Sequence, residues 1–264
     1  MGYVLNYVIT FILAVLYAIM SLVIRKPELA FHIDDIALKH PDEPEIVSNT
    51  YATLLNTVPC VFILVTSQAA VRNFHDFHHA SFGFVFAIIL QAFVKSFLWV
   101  NFGDLRPDLL SKCRIQEEKL VPGQVYYYPS KICQPGLEIN TPGWPSGHAS
   151  QSAVCWMFVA LYLNGKLKPL ASNTSHVWKF VLCWIVTLMV PVFISLSRVR
   201  DFSHYAYQVA WGFALGIVTA LVSYRLMYCS LFGPDNHVPT YYDWISKRRL
   251  LLQQQHNREN DPET

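Results

Sequence analysis

Six runs of apolar residues punctuate the chain, at 4–24, 51–71, 80–100, 148–163, 177–196 and 205–228, each bounded by charged or turn-forming residues. A bilayer core is crossed by about 20 apolar residues in a helix. The pattern therefore predicts an all-α, polytopic membrane protein with six transmembrane helices. The run 148–163 is the short one, and its start carries Ser150, Gln151 and Ser152. Polar residues at that depth suit a helix that faces protein or water rather than lipid. The first run ends at Arg25-Lys26-Pro27-Glu28, has no basic leader and offers no small-residue cleavage site, so it reads as a retained helix. Residues 1–230 are expected to form one membrane domain. Residues 231–264 read as a polar tail, with 253–264 expected to be disordered.

An even number of spans puts both termini on one side, with loops 72–79 and 164–176. Loops 25–50, 101–147 and 197–204 share the other side. Lys and Arg are spread almost evenly between the two faces, but Lys247-Arg248-Arg249 follows the last span closely, and Lys166 and Lys168 lie in a short loop. The positive-inside rule leans toward cytosolic termini. Composition agrees with the membrane class: 53% of residues are hydrophobic, 14% are charged, and the mean hydropathy is +0.29. A formal net charge of +2 gives no argument for a nucleic-acid partner. Cys60, Cys155, Cys183 and Cys229 fall within the apolar runs and read as small buried hydrophobes. Cys113 and Cys133 share the loop 101–147. They form a candidate disulfide if that loop faces an oxidising compartment, and two reduced thiols otherwise. The sequon Asn173-Thr174-Ser175 falls on the terminus side, where it would go unused.

Three polar segments lie on the face opposite the termini, each where a span meets a loop: Phe102 to Cys113, Pro142 to Ser150, and Ser195 to Gln208. Arg106 and Arg198 offer forked guanidinium donors suited to phosphate oxygens. Ser146 and Gly147 stand at the start of the fourth helix, whose unpaired backbone N–H groups favour an anion. His148 and His204 supply two imidazoles, one able to attack and one able to donate a proton. Together these residues describe a phosphoryl-transfer site that needs no metal or cofactor. The two histidines are separate, stand among arginines that repel a cation, and form no HxxH or HExxH pattern. His75, His78 and His79 with Asp76 are denser, but fall on the opposite side and read as a short polar turn, with an incidental metal site as the other reading. Arg200 reads as a headgroup or loop contact, and Ser197 as a cap. The run Tyr126-Tyr127-Tyr128 reads as an interfacial aromatic surface.

At these residues the chain resembles the type 2 phosphatidic acid phosphatase superfamily, in its membrane lipid phosphate phosphatase branch. The family's Pro-Ser-Gly-His motif stands complete as Pro145-Ser146-Gly147-His148. Ser197, Arg198 and His204 stand at the spacing of the family's Ser-Arg…His motif, and Arg106-Pro107 closes the first motif. The resemblance covers roughly residues 1–230. It implies that His204 attacks phosphorus to form a phosphohistidine and that His148 protonates the leaving alkoxide. Arg106, Arg198, Ser146 and the Gly147 N–H would hold the equatorial oxygens. It also implies metal independence and substrates such as phosphatidate, lysophosphatidate, diacylglycerol pyrophosphate and sphingoid phosphates, met at the lumenal or extracellular face of an endomembrane or plasma membrane.

Two positions depart from the motifs. Trp99 occupies the place of the family's lysine; Lys95, one helical turn earlier, could reach the phosphate by snorkelling or could face elsewhere in the bundle. Gln208 replaces the aspartate that orients the nucleophilic histidine. Its amide oxygen can accept the same hydrogen bond but supplies no charge, and no sequence argument lets Asp201 substitute. The expected activity is hydrolysis of a membrane phosphomonoester or pyrophosphate. The alternative is a lipid-phosphate-binding sensor or scaffold with little turnover.

Overall fold

Each of the six apolar runs is helical. The computed structural model describes residues 2–25, 27–135, 142–169 and 176–240. Helix α1 covers Gly2–Leu22. The short strand β1 (Phe31–His32) and a 3-10 turn (Ile36–Leu38) lead to α2, Asn49–Val71, which is capped by the Ser48 hydroxyl. Helix α3 covers Phe74–Asn101 and is capped by Asn73. The following loop carries α4 (Leu109–Cys113), strand β2 (Tyr126–Tyr127) and α5 (Pro129–Ile132). Helix α6 covers Gly147–Leu167. Helix α7 (Val177–Phe180) continues through a π-helical stretch (Val181–Val186) into α8, Thr187–Arg200. Helix α9 covers Ala206–Met227.

Among the described residues, five helical stretches are long and apolar enough to cross a membrane: Val4–Leu22, Asn49–Val71, Phe74–Asn101, Val177–Arg200 and Ala206–Met227. Helix α6 has 21 residues, about 31 Å at 1.5 Å per residue, but is less apolar because it sits inside the bundle. Helices α2, α3, α8 and α9 pack around it, and nearly every residue from Ala149 to Gly165 is buried. Its polar side chains meet protein, as the sequence pattern predicts. Gln91 Nε2 on α3 donates to Ser150 Oγ at 2.6 Å, and Trp184 Nε1 donates to Asn164 Oδ1 at 3.3 Å. Without water to compete, such groups must be satisfied within the bundle.

The remaining described residues cap the two ends. On one end, β1 pairs antiparallel with β2, and Cys113 and Cys133 are disulfide-bonded. Phe31, Leu38, Leu109, Ile132 and Tyr127 bury a second apolar cluster there. Tyr127 is thus part of this cap's core, and among the three tyrosines only its exposed neighbours fit the predicted aromatic surface. On the other end, residues 75–79 are the opening turns of α3 rather than a loop. Buried Asp76 accepts hydrogen bonds from Gln68, Tyr162 and Tyr228 and pairs with Lys166. The segment after α9 folds back onto this end: Cys229 N–H donates to Val238 O at 3.0 Å, and Tyr224 Oη to Asn236 O at 2.7 Å. The polar tail therefore begins later than residue 231, and Cys229 lies just past α9, partly exposed, rather than inside a span. The sequon, Lys247 to Arg249 and the segment 253–264 lie outside the described residues.

Candidate active site

The C-terminal ends of α3 and α8 and the N-terminal ends of α6 and α9 meet beneath the disulfide-bonded cap. Helix α6 opens at Ser146, whose side chain makes no capping bond to its own helix. The Ser146 N–H donates instead to Gln208 O at 3.0 Å, tying the start of α6 to α9. Trp99 buttresses the same turn, its Nε1–H donating to Pro145 O at 2.9 Å. The Lys95 ammonium lies over the Trp99 ring, 4.4 Å from its centroid, and the Lys95 stem runs beside Gly147. Lys95 thus reaches the start of α6, by a cation–π seat on Trp99.

Between α8 and α9 the chain reverses tightly. Phe202 takes a left-handed conformation (φ 53°), and the His204 N–H returns to Arg198 O at 3.0 Å. This turn buries Arg198 and His204 together. Asp201 Oδ2 accepts from Arg198 Nη2 at 2.5 Å, so Asp201 orients the arginine and not the histidine. Arg200 points away and is exposed. Ser197 donates to Ile194 O at 2.8 Å, within its own helix.

The His204 ring is fixed by two acceptors on one nitrogen. Nδ1 faces Gly143 O at 2.8 Å and Gln208 Oε1 at 3.2 Å. Two oxygens there require the proton on Nδ1 and leave Nε2 with its lone pair. Burial, and next the Arg106 charge, hold the His204 pKa well below the usual histidine range, while the bonds to Gln208 and Gly143 work in the opposite sense. The ring is kept neutral, which leaves the Nε2 lone pair available.

Around it stand buried polar atoms that have no hydrogen-bond partner in the protein: Arg106 Nε, Arg198 Nε, Ser146 Oγ and His148 Nε2. The His148 ring also hydrogen-bonds the backbone of Val47. Arg106 and Arg198 both act electrostatically on His148, and Arg106 and His148 both act on His204. Buried polar groups are normally paired. A cluster of unpaired ones at an uncapped helix start calls for an anion with several acceptor oxygens.

Two contributors escaped the sequence reading. Glu45, from the loop before α2, brings Oε1 to 3.2 Å from Arg198 Nη1. Asp104 accepts from Gln208 Nε2 at 2.8 Å. Each is a carboxylate without a periodic pattern, placed by the cap and not by a helix. Gly212 and Gly216 on α9 also went unread, although their i, i+4 spacing inside an apolar run is a legible signal of close helix contact.

Comparison with known proteins bears on the whole region. The PAP2 superfamily model matches residues 80–230, which hold all three polar segments. A PA-phosphatase related-family protein of Dictyostelium discoideum is 32% identical over 254 residues, covering 92% of this chain and 69% of that protein. A probable diacylglycerol pyrophosphate phosphatase of Schizosaccharomyces pombe is 28% identical over 243 residues, with 88% and 82% covered. Lipid phosphate phosphatase 1 of Arabidopsis thaliana is 29% identical over 178 residues, with 66% and 53% covered. No solved structure matches the chain.

Proposed function

Since this chain belongs to the PAP2 superfamily, in its membrane lipid phosphate phosphatase branch, we propose that it hydrolyses a membrane-borne phosphomonoester or pyrophosphate through a phosphohistidine. The observation that carries this reading is the set of unpartnered buried polar atoms on Arg106, Arg198, Ser146 and His148 around an Nε2 lone pair on His204. In the first step His204 Nε2 attacks phosphorus as the P–O bond to the leaving group breaks, and His148, entering the step as the imidazolium, gives its Nε2 proton to the departing oxygen. In the second, His148 takes a proton from water, the water oxygen bonds to phosphorus, and the P–N bond breaks to release phosphate and neutral His204. Arg106, Arg198, Ser146 and the Gly147 N–H hold the equatorial oxygens, and Lys95 adds charge beside Gly147. Positioning and electrostatic stabilisation supply most of the rate in such transfers. No metal takes part in either step.

The proposed site lies within residues 1–230. The Cys113–Cys133 disulfide supports a site facing a lumen or the cell exterior, with cytosolic termini. The acyl chains of the substrate remain in the bilayer while its headgroup enters beneath the cap. The test uses purified protein in mixed micelles with phosphatidate, lysophosphatidate or diacylglycerol pyrophosphate, without magnesium and with chelator. Release of inorganic phosphate is the expected outcome. Binding of these lipids without any release would instead identify a lipid-phosphate sensor.

Glu45 makes a further expectation. Its carboxylate is about one-third exposed, and it pairs with an arginine that is fully buried and assigned to the substrate phosphate. A phosphate must displace it. Glu45→Gln is expected to lower KM about three- to tenfold, which corresponds to roughly 1 kcal/mol for a half-screened pair, with kcat little changed. Steady-state kinetics on micellar phosphatidate measures both.

A further inference from the structure

The departure at Gln208 leaves the nucleophilic histidine without an adjacent carboxylate. The structure nevertheless holds one a single side chain away. Gln208 is fully buried and every polar atom on it is engaged. Its Oε1 accepts from the Tyr205 N–H at 3.1 Å and faces His204 Nδ1 at 3.2 Å. Its Nε2 donates to Asp104 Oδ2 at 2.8 Å and to Leu105 O at 2.9 Å. These four neighbours fix which end of the amide is oxygen: two acceptors stand at one end and two donors at the other.

Asp104 is itself held from several sides. Tyr207 Oη donates to Oδ2, the Leu105 N–H donates to Oδ1 at 2.8 Å, and the Gly143 N–H donates to Asp104 O at 2.8 Å. Gly143 closes the circuit, because its own carbonyl receives His204 Nδ1. A Cβ at Gly143 would stand 2.7 Å from Gln208 Nε2 and 2.9 Å from Leu105 O, so only glycine permits this arrangement.

We infer that Asp104 is a positioning residue for the phosphoryl-transfer reaction, acting on His204 through the side-chain amide of Gln208. This inference rests on the phosphatase reading. Asp104 would do two things. First, its carboxylate keeps the NH2 end of Gln208 turned away from the imidazole, so that only the amide oxygen meets Nδ1. A flipped amide would set N–H against Nδ1 and leave Gly143 O as the one acceptor holding the Nδ1 proton, which weakens the preference for the tautomer that keeps the Nε2 lone pair free. Second, a carboxylate bonded to Nε2–H polarises the amide and strengthens the acceptor oxygen at its far end. That opposes the positive charge which builds on the ring as the P–N bond forms. The aspartate missing from α9 and the aspartate present in the loop before Arg106 are thus one function in two places.

The inference sets a sign for the obvious reversion. An aspartate at 208 would face the Asp104 carboxylate and the Leu105 carbonyl, with no donor for either. Gln208→Asp alone is therefore expected to lower kcat at least about tenfold, and adding Asp104→Asn is expected to recover most of the loss. Asp104→Asn alone keeps an oxygen for Gln208 Nε2 and removes only the charge, so kcat should fall about tenfold with KM within about twofold. Asp104→Ala loses the acceptor as well and should fall further.

The closing experiment pairs this cycle with a readout that does not depend on turnover. Protein labelled with 15N-histidine is compared as wild type, Asp104→Asn, Asp104→Ala, Gln208→Asp and the double variant, with the His204 ring signals assigned by their loss in His204→Asn. Wild type should show a protonated Nδ1 and a bare Nε2, and Asp104→Ala a mixture of tautomers. Thermal midpoints should show Gln208→Asp destabilised and the double variant recovered, and the kinetic cycle should be non-additive in the same sense. Unchanged ring signals in Asp104→Ala would overturn the inference, as would a Gln208→Asp enzyme equal to or faster than wild type. If wild type releases no phosphate, the phosphatase reading fails by itself, and the ring signals and midpoints still decide whether Asp104 positions His204.

Discussion

Replacing His204 with asparagine is expected to reduce phosphate release by about ten-thousand-fold or more, the scale seen when a covalent nucleophile is removed. Asparagine is the informative substitution because the histidine has a structural side. Its Nδ1–H meets Gly143 O and Gln208 Oε1 in a buried place, and losing the donor would cost about 1–3 kcal/mol in unpaired acceptors. Asparagine retains a donor near that point and removes Nε2. A thermal midpoint close to wild type, together with lost turnover, would separate chemistry from folding. His204→Ala should lose both. Rapid quench of wild type with phosphate-labelled substrate should trap a phosphoenzyme that is stable to base and labile to acid, as a P–N bond is, and the asparagine variant should trap none. An asparagine variant that retains turnover would rule out His204 as the nucleophile. The pH dependence carries a sign as well. The neutral ring is the attacking form and its pKa is lowered by burial and Arg106. Activity lost by protonating His204 is thus lost only well below the ordinary histidine value of 6.5.

The helices were legible because bilayer-scale apolar runs require no knowledge of partners. Even the short fourth run announced its place: Ser150, Gln151 and Ser152 mark a helix that is enclosed by protein, and Ser150 meets Gln91 of α3 there. The site was legible to the extent that its residues sit at helix ends. Arg106, His148, Arg198 and His204 are brought to one end by the alternation of spans alone. What escaped is what the cap contributes. Glu45 and Asp104 reach the site through loops whose path depends on β1 pairing with β2 and on the Cys113–Cys133 bond, and pairing between distant loops leaves no periodicity in sequence. The histidines at 75, 78 and 79 were misplaced for a related reason. A polar start reads as a turn, yet Asn73 caps α3 just before them, and the buried Asp76 finds partners on α2, on α6 and at Tyr228 just past α9 that only the packed bundle supplies.

Gly212→Ala is expected to lower kcat about a hundredfold, for a methyl group that touches no substrate. In a bilayer the lipid tails are as apolar as the side chains, so helices are held by close packing rather than by hydrophobic exclusion. Helices α6 and α9 achieve this at Gly212 and Gly216. A Cβ at Gly212 would stand 2.5 Å from Ser146 O and 3.1 Å from Ser146 N. Both are backbone atoms of the turn that opens α6, and a rotamer change relieves neither contact. The start of α6 must move, and with it Ser146 Oγ, the Gly147 N–H and His148. A misplacement of about 1 Å at a reacting centre costs on the order of a hundredfold in rate. The stability cost is smaller, because alanine recovers about 1 kcal/mol of helix propensity against about 1–3 kcal/mol of overpacking. Gly216 supplies the contrast. A Cβ there would stand 2.4 Å from Ser150 O, 2.6 Å from Ala153 Cβ and 2.8 Å from Val154 N, one turn further from the site. Gly216→Ala should therefore depress the thermal midpoint more than Gly212→Ala and kcat less. Equal ratios of lost rate to lost stability in the two variants would mean that both glycines merely pack the bundle. Unequal ratios in the stated order would mean that Gly212 sets where the phosphate is held.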